Sequence, residues 1–374
     1  MFFRTNSLDS ILFKNVNEAC NIGLIAVISK PISNKIANLG LFCSFLIVCN
    51  HVRFDAEIGT ALWWWQQCIT WGIATVAVPC FFVISGFLLA GHMCDEGWYK
   101  IEVAKRIRTL VVPSYIWIAI RVAFLSGIIL IANVAAHKPP LTNIRYGIND
   151  IISWLGFNPY SQPGLGVLWY VRALLMFVLI SPILKRMSTW FGVIVLFAVY
   201  GIVCPWESMA FGTWKYPLRF FFSLEGLAYF TLGIFLRFHD QLLSVGKCKM
   251  VIAFCVGCAG MILQAWGSYK GWTCAYYFRW ASLPFVMYAL WAIVSDSCIA
   301  RRLTACSFPV FLIHIFIITI INKIGAHVSI FPFNGTNIVE WVAQTLIIFW
   351  GSVLVAIGLR RFFPRFARIA FGGR

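Results

Sequence analysis

Apolar residues in this chain come in long blocks, not in the strict alternation of a half-buried strand. Ten blocks stand out, at positions 36–53, 68–90, 110–135, 165–184, 190–205, 218–238, 250–266, 277–295, 308–325 and 338–359. Most approach the roughly 20 apolar residues that a helix needs to cross a bilayer; the fifth and seventh are the shortest. The pattern predicts an all-α, polytopic membrane protein of about ten transmembrane helices. Ahead of the first block, residues 1–35 hold only a short apolar run at 22–28, too short to span and without the small-residue site of a cleavable signal. They read as a cytoplasmic or interfacial lead-in, 36–360 as the transmembrane domain and 361–374 as a basic cytoplasmic tail. The longest external loop, 137–164, carries Pro139, Pro140, Pro159 and Pro163, which suits an ordered cover over a site.

Composition narrows the class further. The 374 residues are 61% hydrophobic and 11% charged, and mean hydropathy is +0.83. Soluble domains average about 45–50% apolar and about 25% charged, so a water-soluble enzyme and a disordered chain are both excluded. The formal charge of +17 comes from 30 Lys and Arg against 13 Asp and Glu. In so apolar a chain it points to basic cytoplasmic loops, not to nucleic acid. With the N-terminus inside and ten alternating spans, 20 of the 30 basic residues fall on the cytoplasmic side and 8 outside, with Arg121 and Arg172 inside spans. That asymmetry places both termini in the cytoplasm. The 13 cysteines show no metal-ligand spacing, and Cys43, Cys49, Cys80, Cys255 and Cys258 sit in apolar surroundings. They read as reduced, helix-packing residues, and no metal is expected.

Ionisable side chains within spans carry the candidate chemistry. A charge at mid-bilayer costs about 2.5–3.5 kcal/mol on insertion scales, so such residues mark function. His51 ends the first span near the outer face, where an imidazole can take a proton from a hydroxyl; the alternative is a helix-end histidine bonded in the headgroup zone. Asp55 shares a face with it if the helix continues, and a carboxylate there would orient the ring. Arg172 and Glu225 each need a partner, either each other or a substrate. Arg121 lies mid-span and pairs or snorkels. His314, in the inner half of the ninth span, binds cofactor or bridges helices. Lys105, Arg106 and Arg108 precede the third span on the cytoplasmic side; they either bind phosphates or simply hold the loop inside. Ser85 and Gly86 follow Pro79 in the second span, where small residues let helices approach. Trp63, Trp64, Trp65, Trp169 and Tyr170 either stack on sugar rings or form the interfacial aromatic belt.

Several phrases together resemble one family. The run Val78-Pro79-Cys80-Phe81-Phe82-Val83-Ile84-Ser85-Gly86-Phe87-Leu88-Leu89 is similar to the second-span signature of the acyltransferase 3 family of membrane-bound acyltransferases. It follows a first-span histidine, His51. A basic pair leading to Pro113 comes next, then Leu168-Trp169-Tyr170-Val171-Arg172-Ala173-Leu174-Leu175, and late in the chain Phe308-Pro309-Val310-Phe311-Leu312-Ile313-His314. The family's Arg-x-x-Arg starts at Arg106 but meets Thr109 in its second place; Lys105 and Arg108 give the other registration.

The resemblance implies a ten-helix fold in the cytoplasmic (inner) membrane. It implies transfer of an acyl group, often acetyl, from cytoplasmic acyl-CoA to a hydroxyl of a surface polysaccharide, lipopolysaccharide or glycolipid. His51 is then the catalytic base or a transient acyl carrier, with Asp55 holding its tautomer and Arg172 stabilising the oxyanion. Lys105, Arg106 and Arg108, with His314, bind the acetyl-CoA or other acyl-CoA donor. Glu225, Trp169, Tyr170 and Ser85 stand on the acceptor side. The rival class is a transporter or lipid-linked sugar flippase, which predicts internal pseudo-symmetry; no repeat is visible in the sequence.

Overall fold

The computed structural model describes residues 28–137, 139, 166–209, 223–244, 246–325 and 335–373. All regular structure among them is helical, with no strand. The helices are α1 (Lys30–His51), α2 (Ala61–Cys68), α3 (Ala77–Ala90), α4 (Trp98–Arg106), α5 (Val112–Ala135), α6 (Leu168–Leu179), α7 (Ser181–Met187) and α8 (Trp190–Met209). They continue with α9 (Leu224–Phe238), α10 (Lys247–Tyr269), α11 (Ala275–Ile293), α12 (Arg301–Thr304), α13 (Ser307–Gly325), α14 (Ile338–Phe362) and α15 (Pro364–Ala370). Each of the ten apolar blocks therefore carries a helix. Among the described residues, five helical segments are long and apolar enough to cross a membrane, six if α6 and α7 count as one bent span. Large apolar side chains such as Ile131, Phe191, Ile202 and Leu354 lie exposed on the outside of the bundle, the surface a bilayer would cover.

Local sequence explains where helices start, bend and stop. Asn337 caps α14 by accepting from the Glu340 amide at 3.0 Å, and Glu340 accepts from the Thr336 amide at 2.7 Å. Ser223 caps α9 through the Gly226 amide at 3.0 Å. The fourth block is not one straight span: α6 and α7 meet at 74°, because Pro182 can begin a helix but cannot continue one. Pro79, by contrast, falls in the first turn of α3, where its missing N–H costs little. Between α4 and α5 the chain makes a π-helical turn, Ile107–Val111. Pro113 cannot donate to the Thr109 carbonyl four residues back, and a widened turn relieves that clash.

The centre of the bundle holds α1, α3, α9, α13 and α14. Glycines set the closest crossing, between α3 and α9: a Cβ on Gly86 would collide with the Phe230 carbonyl, and one on Gly233 with the Val83 carbonyl. Helices α1 and α13 run parallel. Ser44 and Ser307 bond to each other at 2.7 Å, and the Ser307 hydroxyl donates to the Gly40 carbonyl at 2.8 Å. Helix α10 packs on α11 beside this core.

Two expectations gain structural detail here. The C-terminal segment, expected as a basic tail, packs against the bundle. Helix α14 runs to Phe362, α15 folds back, and Ala367, Ala370 and Phe371 are buried. Trp117 of α5 donates to the Ala370 carbonyl at 2.8 Å. Gly372, at φ +66°, lies so close to the Thr109 carbonyl of the π turn that a Cβ would overlap it. Gly372→Val is therefore expected to lower stability by about 1–3 kcal/mol through backbone strain and overpacking, read as a drop in thermal midpoint of the purified protein. The cysteines also differ from the sequence reading: Cys43, Cys49 and Cys80 are free and buried, but Cys255 is exposed, Cys258 is half-buried and Cys94 is disulfide-bonded.

Candidate active site

The site grows from the parallel register of α1 and α13. Seven residues beyond the Ser44–Ser307 bond, about 10 Å along both axes, His51 and His314 face each other with ring centroids 5.1 Å apart. His51 ends α1 and is half-buried; His314 is fully buried. The chain after His51 is held from several sides. Trp341 donates to the Val52 carbonyl at 2.9 Å, and Asn50 donates to the Thr70 carbonyl at 2.8 Å. Gln66 takes the Phe54 amide at 2.9 Å and donates back to the Phe54 carbonyl at 3.0 Å. These bonds fix the backbone on both sides of the His51 Cα, so the imidazole has little freedom beyond its own torsions.

Two cavities approach the histidines from opposite ends of the bundle. The larger, about 710 Å³, opens at the end where α1 begins. Its mouth carries the cations Lys105, Arg106 and Arg237 beside His92, and its walls are apolar, including Phe81, Ile84, Leu88, Leu174 and Phe308. Its far side reaches Ser85, Tyr170 and Phe311. Ser85 and Tyr170 are hydrogen-bonded at 3.2 Å, and the Tyr170 ring lies 5.6 Å from Phe311. Phe311 is one turn before His314, with ring centroids 6.4 Å apart. The smaller cavity, about 20 Å³, lies on the other side and is lined by His51, Arg53, Asn322 and Gln344 among others. That is space for about one water or one hydroxyl group.

Glu102 organises the cationic mouth. Its carboxylate is buried, bonds Lys105 at 2.8 Å, and stands 3.6 Å from Arg106 and 4.0 Å from His92. One carboxylate thus stands against both Lys105 and Arg106, which leaves net positive charge at that side of the mouth for an anionic ligand. Arg106 keeps a buried Nε with no hydrogen-bond partner, a donor that a phosphate oxygen can satisfy.

The sequence candidates separate as follows. His51 and His314 come together, although the span count put His314 in the inner half of its helix and His51 near the outer face. The reason is that α1 stops at His51 while α13 continues eleven residues beyond His314. His314 does not line the larger cavity. Asp55 is exposed and follows α1 in extended chain, so the one-turn relation to His51 does not arise. Lys105 and Arg106 line the larger cavity; Arg108 does not. Arg172 is buried on α6, about 200° around that helix from Tyr170, and lines neither cavity. Glu225 takes a hydrogen bond from Tyr200 and faces Arg279 on α11. Arg121 donates to Thr319 at 3.0 Å and sits 5.4 Å over the Phe316 ring. The tryptophans of α2 pack on protein: Trp64 on Trp266 at 6.2 Å and Trp65 on Trp341 at 5.6 Å. Trp169 joins the Phe82 and Tyr170 rings. Among the described residues, no group of three or more His, Cys, Asp or Glu could hold a metal.

Sequence reading passed over Glu102, His92 and Arg237 at the mouth and Asn322 and Gln344 beside His51. The last two carried a usable signal, uncharged polar residues inside apolar blocks; the first three were placed only by tertiary contact.

Apolar outer surface, an internal chamber with a basic mouth and an imidazole pair near its far end define a membrane-type helical protein with a polar interior. A model of the acyltransferase domain known as acyltransferase 3 matches residues 40–361, and the chain belongs to that family and is an acyltransferase. No curated protein and no solved structure matches it.

Proposed function

We propose that the protein moves an acyl group, in the first instance acetyl, from acyl-CoA on the cytoplasmic side to a hydroxyl of a cell-surface polysaccharide, lipopolysaccharide or glycolipid sugar. In this reading it spans the inner membrane ten times with both termini inside, and the basic mouth faces the cytoplasm. The observation that carries the reading is that His51 lines a polar pocket of hydroxyl size and pairs with His314, whose neighbour Phe311 lines the chamber with the basic mouth. Lys105, Arg106 and Arg237 hold the nucleotide phosphates, and the apolar walls take the pantetheine arm. The thioester rests beyond Ser85, Tyr170 and Phe311, near the histidines. The acceptor hydroxyl enters the smaller cavity. His51 removes its proton as the oxygen attacks the thioester carbon. The tetrahedral adduct collapses with loss of the sulfur, and the imidazolium returns the proton to the leaving thiolate. The products are the ester and free CoA.

Two measurements test this. Surface glycans from cells with and without the protein should differ by the mass of one acyl group; identical glycans would refute the acceptor class. Arg106→Ala combined with Arg237→Ala should raise KM for acyl-CoA about 10- to 100-fold, the worth of one or two charge-assisted bonds. The same variant should leave kcat nearly unchanged, and an unaltered KM would reduce the mouth to a topology signal.

A further inference from the structure

We infer that His314 is the positioning residue for His51: its neutral Nε2 accepts a hydrogen bond from the His51 ring N–H while the opposite His51 nitrogen handles the proton of the acceptor hydroxyl. This rests on the acyl-transfer reading and deepens it. The tautomer follows from the bonds. Nδ1 of His314 lies 3.0 Å from the Val310 carbonyl, which can only accept, so Nδ1 carries the hydrogen and Nε2 the lone pair. That Nε2 is buried and has no hydrogen-bond partner, although buried acceptors are seldom left unpaired. The His51 ring is 5.1 Å away, centroid to centroid, close enough for a direct bond after a small rotation of the half-buried ring or through one water.

Serine hydrolases give the orienting role to a carboxylate. Within a bilayer a carboxylate would bring a charge into low dielectric, and the candidate carboxylate here, Asp55, is exposed beyond the helix end. A neutral imidazole orients the partner ring and stabilises the transient imidazolium without adding charge to the resting state. The charged side chain on the His51 side is Arg53; α14 presents neutral Gln344 to the same pocket. No proton passes to His314: it leaves the hydroxyl for His51 and leaves His51 for the CoA thiolate.

Three substitutions in the full chain in lipid nanodiscs separate this role from a structural one. Gln places its side-chain oxygen near the Nε2 position, whereas Asn reaches only the Nδ1 position and keeps the Val310 bond. With acetyl-CoA as donor, His314→Phe should lower kcat about 100-fold and leave the acetyl-CoA KM within about twofold. His314→Asn should match Phe, and His314→Gln should recover most of the loss. Recovery by Asn as good as by Gln would make the residue structural, and a raised KM with intact kcat would make it a donor contact; either overturns the proposal. A readout free of turnover is ¹⁵N magnetic resonance of histidine-labelled protein in bilayers. His314 should be the Nδ1–H tautomer with its Nε2 near a His51 N–H proton; an Nε2–H tautomer refutes the pairing even where acetyl-CoA is not the donor. If wild type consumes no acyl-CoA while the magnetic resonance pairing is present, the acyl-CoA reading fails and the histidine pairing survives.

Discussion

His51→Ala is expected to reduce acyl transfer about 10²- to 10⁴-fold, the range that a positioned general base contributes, while the protein still folds and inserts. The expectation of normal folding comes from where the residue sits. His51 is the last residue of α1, half-buried beside a small cavity, and the backbone around it is held by Trp341, Asn50 and Gln66. Removing the ring leaves those bonds in place. Donor affinity should also hold, because the cationic mouth lies at the other end of the larger cavity. The diagnostic pattern is thus a fall in kcat with an unchanged acyl-CoA KM, measured as CoA release in the presence of acceptor. A parental rate in protein that has reached the membrane would remove His51 from the chemistry. Incubation with labelled acyl-CoA and no acceptor distinguishes base from acyl carrier: a base accumulates no acyl-imidazole.

Gly86→Leu and Gly233→Leu are each expected to prevent recovery of folded protein. At both positions a Cβ alone would overlap a carbonyl on the facing helix, Phe230 for Gly86 and Val83 for Gly233, and a backbone cannot turn aside as a side chain does. Overpacking usually costs about 1–3 kcal/mol and more where nothing can yield. Two such contacts hold α3 against α9, the crossing that also sets Ser85 and Arg237 on the wall and mouth of the larger cavity. The measurement is the yield of monodisperse protein and its thermal midpoint. Gly358→Ala on α14 is the control: a Cβ there meets nothing within 4 Å, so helix propensity alone acts and the midpoint should hold or rise slightly.

Period and length make the helices legible, since each of the ten apolar blocks carries a helix, although the second block begins nine residues before α3 and the fourth breaks into α6 and α7. Residues whose role depends on charge within the chain's own neighbourhood were also legible: Lys105 and Arg106 precede an apolar block and line the cavity. Depth was not. Counting from span ends puts His51 and His314 at different levels because it holds no information on the register of the two helices, in which the end of α1 lies beside the middle of α13. By composition Trp64 and Trp65 fit a sugar-stacking surface or an interfacial belt equally well, and their contacts with Trp266 and Trp341 emerge only in the fold. The type of Gly86 marks it as a packing residue, but its partner Gly233, 147 positions later, emerges only when the two helices cross.

The serine bolt between α1 and α13 has a consequence for how such a chain can vary in length. Below the bolt, turns added ahead of Asn34 leave the Asn34 and Asn38 bonds to the 295–297 segment and the register of the two imidazoles as they are. Above it, the seven-residue stretch must stay equal in both helices, because a single inserted residue would rotate one imidazole about 100° away from the other. Tolerance to insertion should therefore be sharply one-sided along α1.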